Sequence, residues 1–182
     1  MKRVLLCALS AVLFAAGCIA GNGESANAVS DRQNKVSVKV SGTDFKDASL
    51  VTIGGDSIKL SDYVGKYKYV LVDFWASWCG PCMREMPNVK AAYAKYKSRG
   101  LEIVGISLDK SRDDWASAVK RMGMTWVQAS DMNAAGSKAA SLYGVQYIPY
   151  VIVFDRNGNI VVRNLHGEEL LGKLDELMPE GK

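Results

Sequence analysis

The sequence predicts an α/β fold, in which a central mixed β-sheet is flanked by helices and preceded by a short N-terminal β-hairpin. Two apolar, β-branched runs at residues 69–75 and 101–108 are typical of buried strands, and a segment with helical periodicity follows each of them. Two more apolar runs, at residues 151–154 and 160–163, flank a polar turn and precede a last helical segment. This order of elements is typical of a mixed sheet between helical layers.

Local signals predict the individual elements along the chain. Residues 51–53 and 57–60 flank a Gly-Gly-Asp turn, which predicts the hairpin. Residues 80–98 carry apolar side chains at helical spacing, and Gly100 provides the stop. The remaining predicted elements are a helix at 113–122, a short strand at 125–128, a small-residue helix at 134–143 and a closing helix at 168–178.

Length and composition indicate one well-packed domain and argue against nucleic-acid binding. The chain has 182 residues, of which 48 % are hydrophobic, and this is sufficient for a sizeable core. The formal net charge is only +4, and Lys2 and Arg3 at the extreme N-terminus contribute to it. The other basic residues are scattered, with no basic tract interleaved with aromatic residues. We therefore expect no nucleic acid among the partners.

The N-terminus has the features of an export signal. Lys2 and Arg3 precede an apolar stretch at residues 4–16, which is too short for a comfortable membrane span. A short basic segment followed by such a stretch is typical of a signal that is removed from the mature protein. We therefore predict an exported protein of the bacterial cell envelope or periplasm.

Two cleavage sites compete at the end of this signal. Residues 14–18 resemble a bacterial lipobox, in which Cys18 is lipidated, although Ala15 stands where leucine is usual. Residues 26–28 instead fit an ordinary secretory cut after Ala28, with Cys18 only a small apolar residue of the signal. We prefer the lipobox because Cys18 follows the apolar stretch directly. The prediction is a lipoprotein anchored to a membrane.

The chain divides into three parts on this interpretation. Residues 1–18 are the signal and lipobox, and residues 49–180 form the folded domain. Residues 19–48 are rich in small and polar residues, as expected of a flexible tether, and the alternation at 36–40 within them is typical of an edge strand.

The most informative motif is Trp78-Cys79-Gly80-Pro81-Cys82, which lies where a predicted strand is followed by a predicted helix. A Cys-x-x-Cys pair at such a junction indicates a dithiol redox site. Cys79 would precede the first helical turn, where unpaired backbone N–H groups and the helix dipole should lower its pKa and leave it exposed as the reactive thiol. Cys82 would lie within the first turn, close enough to attack a mixed disulfide formed on Cys79.

The same spacing also occurs in zinc sites, so a metal centre is the alternative interpretation. Of the four cysteines, Cys7 and Cys18 belong to the signal, and His166 is the single histidine. A second pair of zinc ligands is therefore missing from the mature chain, and we predict no metal. In an oxidising envelope, a lone reactive pair must be kept reduced by a partner or be used as an oxidant.

Residues 70–87 resemble the active-site strand and helix of thioredoxin almost position for position. Asp73 stands six residues before Cys79, where thioredoxin has a buried carboxylate, and Pro87 occupies the position of its helix-kinking proline. Ile148-Pro149 is similar to the cis-proline loop of that family. The resemblance covers residues 49–180 and implies a thioredoxin-like fold.

Other features resemble the envelope-facing thiol–disulfide reductases of the TlpA/ResA type. These features are the export signal, the tether, the hairpin and Glu85, three residues after Cys82, where that group has a carboxylate. Residues 108–131 resemble an insertion that the group shares with peroxiredoxins. Two positions depart from the thioredoxin pattern: Gly105 stands where a lysine pairs with the buried aspartate, and Tyr150 follows the proline where threonine is more usual.

The resemblance assigns roles to individual residues. Cys79 attacks a substrate disulfide, Cys82 resolves the mixed disulfide, and Asp73 or Glu85 takes the proton of Cys82. The expected substrate-contacting residues are Trp78, Gly80, Pro81, Ile148 and Pro149.

Structural interpretations stand beside these roles. Asp73 could be a polar group satisfied by the backbone, and Glu85 a solvated residue that complements the helix dipole. Tyr147 and Tyr150 could contact a partner or belong to the core. We expect His166 to lie on the surface.

The predicted function is thiol–disulfide exchange, as a disulfide reductase that acts on envelope proteins without any metal or organic cofactor. The expected partners are protein disulfides, such as those of cytochrome c maturation, and an upstream membrane thiol donor, and the expected state is a monomer. The Gly80-Pro81 pair resembles that of reducing thioredoxins, although direction also depends on redox partners. The alternatives are a peroxiredoxin-type peroxidase, although its cysteine motif does not precede Cys79, and a non-enzymatic domain that only binds a partner.

Overall fold

The computed structural model describes residues 44–180, which contain seven strands and four α-helices. The strands are β1 (Ser49–Thr52), β2 (Ser57–Lys59), β3 (Tyr69–Trp75), β4 (Leu101–Ser107), β5 (Val127–Ser130), β6 (Tyr150–Asp155) and β7 (Ile160–Arg163). The helices are α1 (Gly80–Tyr96), α2 (Arg112–Met122), α3 (Lys138–Leu142) and α4 (Gly167–Leu177). The predicted signal, Cys18, the predicted strand at 36–40 and most of the tether lie outside the described residues.

The strands form one mixed sheet in the order β2-β1-β5-β4-β3-β6-β7. The central strands β3, β4 and β5 are parallel, and the outer pairings are antiparallel. The predicted N-terminal hairpin, β1–β2, joins the sheet through β5. The predicted α/β class, with a mixed sheet flanked by helices, is therefore confirmed.

Alternate residues of β3 face two separate cores, one on each side of the sheet. Leu71 and Trp75 pack with apolar residues of α1, α2 and α4, whereas Val72 and Phe74 pack with residues of α3 on the opposite side. Because side chains alternate along a strand, Asp73 lies on the face covered by α1. The carboxyl end of β3 leads directly to the cysteines, so the core beneath the active-site loop is the one that contains Asp73.

The predicted helix at 134–143 is interrupted, which corrects the sequence-based expectation. A short 3-10 turn at Ala134–Gly136 precedes α3, and Ser137 between them has extended backbone angles. The Ser137 hydroxyl accepts a hydrogen bond from the Ala140 N–H and so begins a new helix. The small residues of this segment indicated helix but gave no sign of the internal cap.

Two helix features agree with the sequence. Pro87 lies inside α1, where it removes one backbone donor without ending the helix, and Gly100 ends the following 3-10 turn with a φ of 98°. Within residues 44–180, none of the helices combines the length and the apolar character needed to span a membrane.

Candidate active site

The two cysteines lie at the N-terminus of α1 and form a disulfide. Their sulfur atoms are 2.05 Å apart, and Cys79 is the N-cap residue of the helix, followed by Gly80 and Pro81 in the first turn. The backbone N–H of Cys82 donates to Cys79 Sγ at 3.2 Å. In the reduced protein, this donor and the positive end of the helix would stabilise negative charge on Cys79, which is what the nucleophilic thiol requires.

The cysteines differ less in exposure than the sequence suggested. Cys79 is 5 % exposed and Cys82 is 1 % exposed, so the expectation that Cys79 faces solvent is not met in the disulfide form. The reason is local packing, since Cys79 Sγ is bonded to Cys82 and lies 3.8 Å from the carbonyl oxygen of Ile148. The Ile148–Pro149 peptide bond is cis, as predicted. The loop that precedes β6 therefore contacts the reactive sulfur directly.

Asp73 is buried on the sheet beneath α1, as its apolar neighbours predicted. It is only 3 % exposed. Burial, together with the negative charge of Glu85, raises the pKa of Asp73 to about 7. A carboxyl with this pKa exchanges a proton close to neutral pH, which is the property needed for acid–base chemistry at the cysteines.

Glu85 has defined partners, which neither sequence-based interpretation anticipated. Its Oε1 accepts the backbone N–H of Gly167 at 2.7 Å, and its Oε2 accepts Asn88 Nδ2 at 3.1 Å. Gly167 is the first residue of α4, so the carboxylate satisfies a donor at that helix N-terminus and ties α1 to α4. Glu85 is therefore not merely a solvated residue, and it also acts electrostatically on Asp73.

Asp109 holds the active-site loop and was not singled out from the sequence. Its carboxylate accepts the backbone N–H of Ser77 at 3.0 and 3.1 Å and the Ser77 hydroxyl at 2.6 Å. The hydroxyl of Ser107, at the end of β4, donates to the same group at 2.7 Å. The carboxyl ends of parallel strands meet at one edge of a sheet. The position of Asp109, directly after the predicted strand at 101–108, could therefore have indicated this contact from the sequence.

Two exposed aromatic side chains lie beside the cysteine pair and the loop that contacts it. Trp78 is 69 % exposed and Tyr147 is 58 % exposed, and both line a groove of about 630 Å³ together with Leu108, Ala135 and Ile148. Tyr147 also stacks edge-on against Tyr150 at 5.8 Å between ring centroids. This groove adjoins the loop that touches Cys79. A second cavity, of about 640 Å³, is lined by residues of the hairpin, β5 and α3 and includes none of the predicted site residues.

His166 is partly exposed, but it is hydrogen-bonded rather than freely solvated. Its Nε2 lies 3.0 Å from Asn164 Oδ1, and Asn164 Nδ2 donates to the Tyr147 hydroxyl at 2.8 Å. Tertiary packing places the start of α4 beside the loop that carries Tyr147, a proximity that local sequence patterns do not reveal. Within residues 44–180, no cluster of three or more His, Cys, Asp or Glu side chains is suited to hold a metal ion.

The part of the chain that carries the cysteine pair is similar in sequence to known proteins. The model of the thioredoxin-like family matches residues 65–160. The thiol-disulfide oxidoreductase ResA of Bacillus thuringiensis subsp. konkukian is 31 % identical over 129 residues, which are 71 % of each chain. ResA of Geobacillus kaustophilus is 30 % identical over 141 residues, covering 76 % of this chain and 78 % of the relative.

Solved structures give the same result. The thioredoxin domain of a thiol-disulfide oxidoreductase from Bacteroides vulgatus superposes with a TM-score of 0.68 at 28 % identity, covering 78 % of this chain and 97 % of that domain. A thiol-disulfide oxidoreductase from Bacteroides fragilis gives a TM-score of 0.68 at 33 % identity, covering 72 % of this chain and 97 % of that one. Sequence and structure thus agree with the assignment that the cysteine motif predicted, and the chain belongs to the thioredoxin-like family as a protein-disulfide oxidoreductase of the TlpA/ResA type.

Proposed function

We propose that the protein is a disulfide reductase of exported proteins, with Cys79 as the nucleophile and Cys82 as the resolving thiol. The observation that carries this proposal is the Cys79–Cys82 disulfide at the N-cap of α1, above a buried carboxyl with a pKa near neutrality. This arrangement supplies a stabilised thiolate, a second sulfur within bonding distance and a proton acceptor. Electrons travel in the sulfur atoms, so the reaction requires no metal or organic cofactor.

The reaction proceeds in two balanced steps from the reduced dithiol. The Cys79 thiolate attacks one sulfur of the substrate disulfide, forms a mixed disulfide and releases the first substrate thiolate. Cys82 then loses its proton to Asp73 or Glu85 and attacks Cys79 Sγ. The mixed disulfide breaks, and the second substrate thiolate leaves and takes up a proton. Two electrons pass from the dithiol to the substrate, and the Cys79–Cys82 disulfide remains.

The surface around the sulfur atoms favours a polypeptide substrate. Trp78 and Tyr147 present apolar area to solvent next to the dithiol, and the carbonyl of Ile148 faces Cys79 Sγ. In the mixed disulfide, a partner chain tethered to Cys79 would lie across Gly80, Pro81 and the Ile148–Pro149 loop. Exposed aromatic side chains beside a reactive centre are typical of surfaces that recognise other proteins.

The location of this activity is also part of the proposal. The N-terminal sequence supports export and lipidation at Cys18, which would hold a monomeric domain at the membrane through its tether. There, a membrane thiol donor would reduce the Cys79–Cys82 disulfide again, and cytochrome c maturation is a process that consumes such reducing equivalents. We expect the protein in the membrane fraction of cells and a Cys18→Ser variant in the soluble fraction. Equal partitioning of the two proteins would contradict lipidation at Cys18.

A comparison of two reactions tests the reductase assignment. With dithiothreitol as donor, the purified protein should accelerate insulin reduction by roughly tenfold or more, because Cys79 presents a stabilised thiolate, and the Cys79→Ala variant should not. Peroxide consumption should stay at the rate of dithiothreitol alone. Rapid peroxide consumption that depends on Cys79 would instead support the peroxiredoxin-type alternative. Failure in both assays would favour a domain that only binds a partner.

A further inference from the structure

Three residues on neighbouring strands form a row beneath α1. In the parallel registers of the sheet, Asp73 on β3 pairs with Gly105 on β4, and Gly105 pairs with Gln128 on β5. All three lie on the sheet face that α1 covers, because their neighbours on each strand pack into the opposite core. Adjacent strands are about 4.8 Å apart, so Gln128 is two strand spacings from Asp73, with a glycine between them.

The glycine makes room for the Gln128 side chain. A Cβ at Gly105 would lie 2.6 Å from Gln128 Oε1, 2.7 Å from Nε2 and 2.9 Å from Cδ. The amide group of Gln128 therefore occupies the space above Gly105, between β5 and the strand that carries Asp73. Thioredoxin has, at the position of Gly105, the lysine that pairs with the buried aspartate. In this protein the neutral amide of Gln128, on the adjacent strand β5, fills that space instead.

Trp75 determines which way this amide points. Its Nε1 donates to Gln128 Oε1 at 3.1 Å, and because an indole N–H can only donate, the oxygen must be the atom that faces it. Gln128 Nε2 then points away from Trp75. Gln128 is 7 % exposed, and within residues 44–180 its Nε2 is a buried donor with no hydrogen-bond partner. A buried donor without a partner is costly, and it is usually satisfied by a nearby acceptor or an internal water molecule.

The Asp73 carboxyl is an acceptor on the same face of the sheet, on the strand next to Gly105. Trp75 and Asp73 lie on the same face of β3, two residues apart. When the Gln128 oxygen faces Trp75, the Gln128 nitrogen can therefore be directed toward Asp73. We propose that Gln128 is a positioning residue for the reaction, whose Nε2 donates a hydrogen bond, through one buried water molecule, to the carboxylate form of Asp73. This inference rests on the proposed role of Asp73 in proton transfer.

The other groups around Asp73 do not supply such a donor. On β6, the register partner of Asp73 is Val151, and on β4 it is Gly105, so neither neighbouring strand places a charge or a polar side chain there. From α1, Glu85 adds a negative charge, which disfavours the carboxylate, and the sulfur of Cys82 is held in the disulfide. A neutral donor at Gln128 would therefore be the main local interaction that favours ionised Asp73.

Two substitutions separate this role from simple packing. Gln128→Leu removes both the donor and the acceptor, whereas Gln128→Glu keeps an oxygen for Trp75 and replaces the donor with a second acidic group. The readout is the carboxyl band of Asp73 in infrared spectra of the oxidised protein, titrated with pH and identified by its loss in Asp73→Asn. This measurement does not depend on reductase activity. Thermal unfolding and tryptophan fluorescence provide the structural controls.

We expect both variants to shift the Asp73 titration upward, by about one pH unit for Gln128→Leu and more for Gln128→Glu. The rate of resolution by Cys82 should show the same shift, and in the Asp73→Asn background Gln128→Leu should have no further effect on that pH profile. An unchanged Asp73 titration in both variants would overturn the proposal and leave Gln128 only as the partner of Trp75. A shifted Asp73 titration without any effect on the rate of resolution by Cys82 would support the hydrogen bond but refute the role of Asp73 in proton transfer.

Discussion

Replacing Cys82 with alanine is expected to stop catalytic turnover while leaving the first chemical step intact. Cys79 keeps its place at the N-cap of α1, so its thiolate can still attack a disulfide. The mixed disulfide then has no intramolecular thiol to release it, and loss of that positioned group should lower turnover on the order of 10³-fold or more. Alanine is the suitable replacement because Cys82 is 1 % exposed, and a smaller apolar side chain leaves no unsatisfied polar group.

The trapped species provides the measurement. Non-reducing gels and mass spectrometry should show partner proteins attached through Cys79 in the Cys82→Ala protein, and their identities would define the substrates. The matched control is Cys79→Ala, which should trap nothing. Alkylation of the reduced parent protein at mildly acidic pH should modify Cys79 first. If Cys82 is modified first, or if Cys79→Ala traps the same partners, the roles of the two sulfurs are assigned in the wrong order.

The second large effect concerns the stability of an Asp73→Asn variant. In the folded protein the pKa of Asp73 is about 7, whereas in the unfolded chain it returns to its ordinary value of 3.8. Between about pH 4 and pH 7, folding is therefore accompanied by the uptake of a proton. The free energy of unfolding falls as the pH rises through this range and stays lower above it. Asparagine does not ionise, so the variant should be more stable than the parent by about 4 kcal/mol at pH 8 to 9.

Denaturant unfolding of the oxidised proteins at two pH values tests this expectation. At about pH 4 the carboxyl is protonated in the folded state and roughly half ionised in the unfolded state, so the pH-linked stability difference between parent and variant should be under about 1 kcal/mol. An equal stability difference at both pH values would mean that Asp73 is not held protonated by burial. An unchanged stability at high pH would mean that the interactions of the carboxylate in the folded state fully offset the cost of its burial.

The same substitution should slow the reaction that the proton serves. We expect Asp73→Asn and Glu85→Gln each to reduce turnover at neutral pH by roughly tenfold, and the double variant to be slower than either one, because two carboxylates can accept the Cys82 proton. Glutamine at position 85 keeps an acceptor for the Gly167 N–H, so it tests the charge without removing the contact to α4. Attack by Cys79 on a small disulfide should be affected less than resolution. Full turnover in all three variants between about pH 6 and pH 9 would make these carboxylates structural.

Features encoded in short stretches of sequence were predictable. The cysteine pair at a strand-to-helix junction depends on residues within one turn of each other, and the structure has it at the N-cap of α1. The burial of Asp73 also follows from its apolar neighbours, whereas the cis bond at Ile148–Pro149 was implied by the resemblance to thioredoxin. Local periodicity failed where a single side chain changed the backbone, as Ser137 does between Ala134–Gly136 and α3.

By itself, the sequence determined the α/β class, the dithiol and the buried carboxyl, because strand alternation, helix periodicity and the cysteine spacing are properties of neighbouring residues. The proline loop was recognised through the resemblance of its residues to thioredoxin. Only the tertiary structure decided which residues, distant in the sequence, contact these features. Trp75 and Gln128 are 53 residues apart in the chain, and Glu85 and Gly167 are 82 apart. Such contacts depend on the order of strands in the sheet and on the space that a neighbour such as Gly105 leaves open, and neither is written in any local pattern.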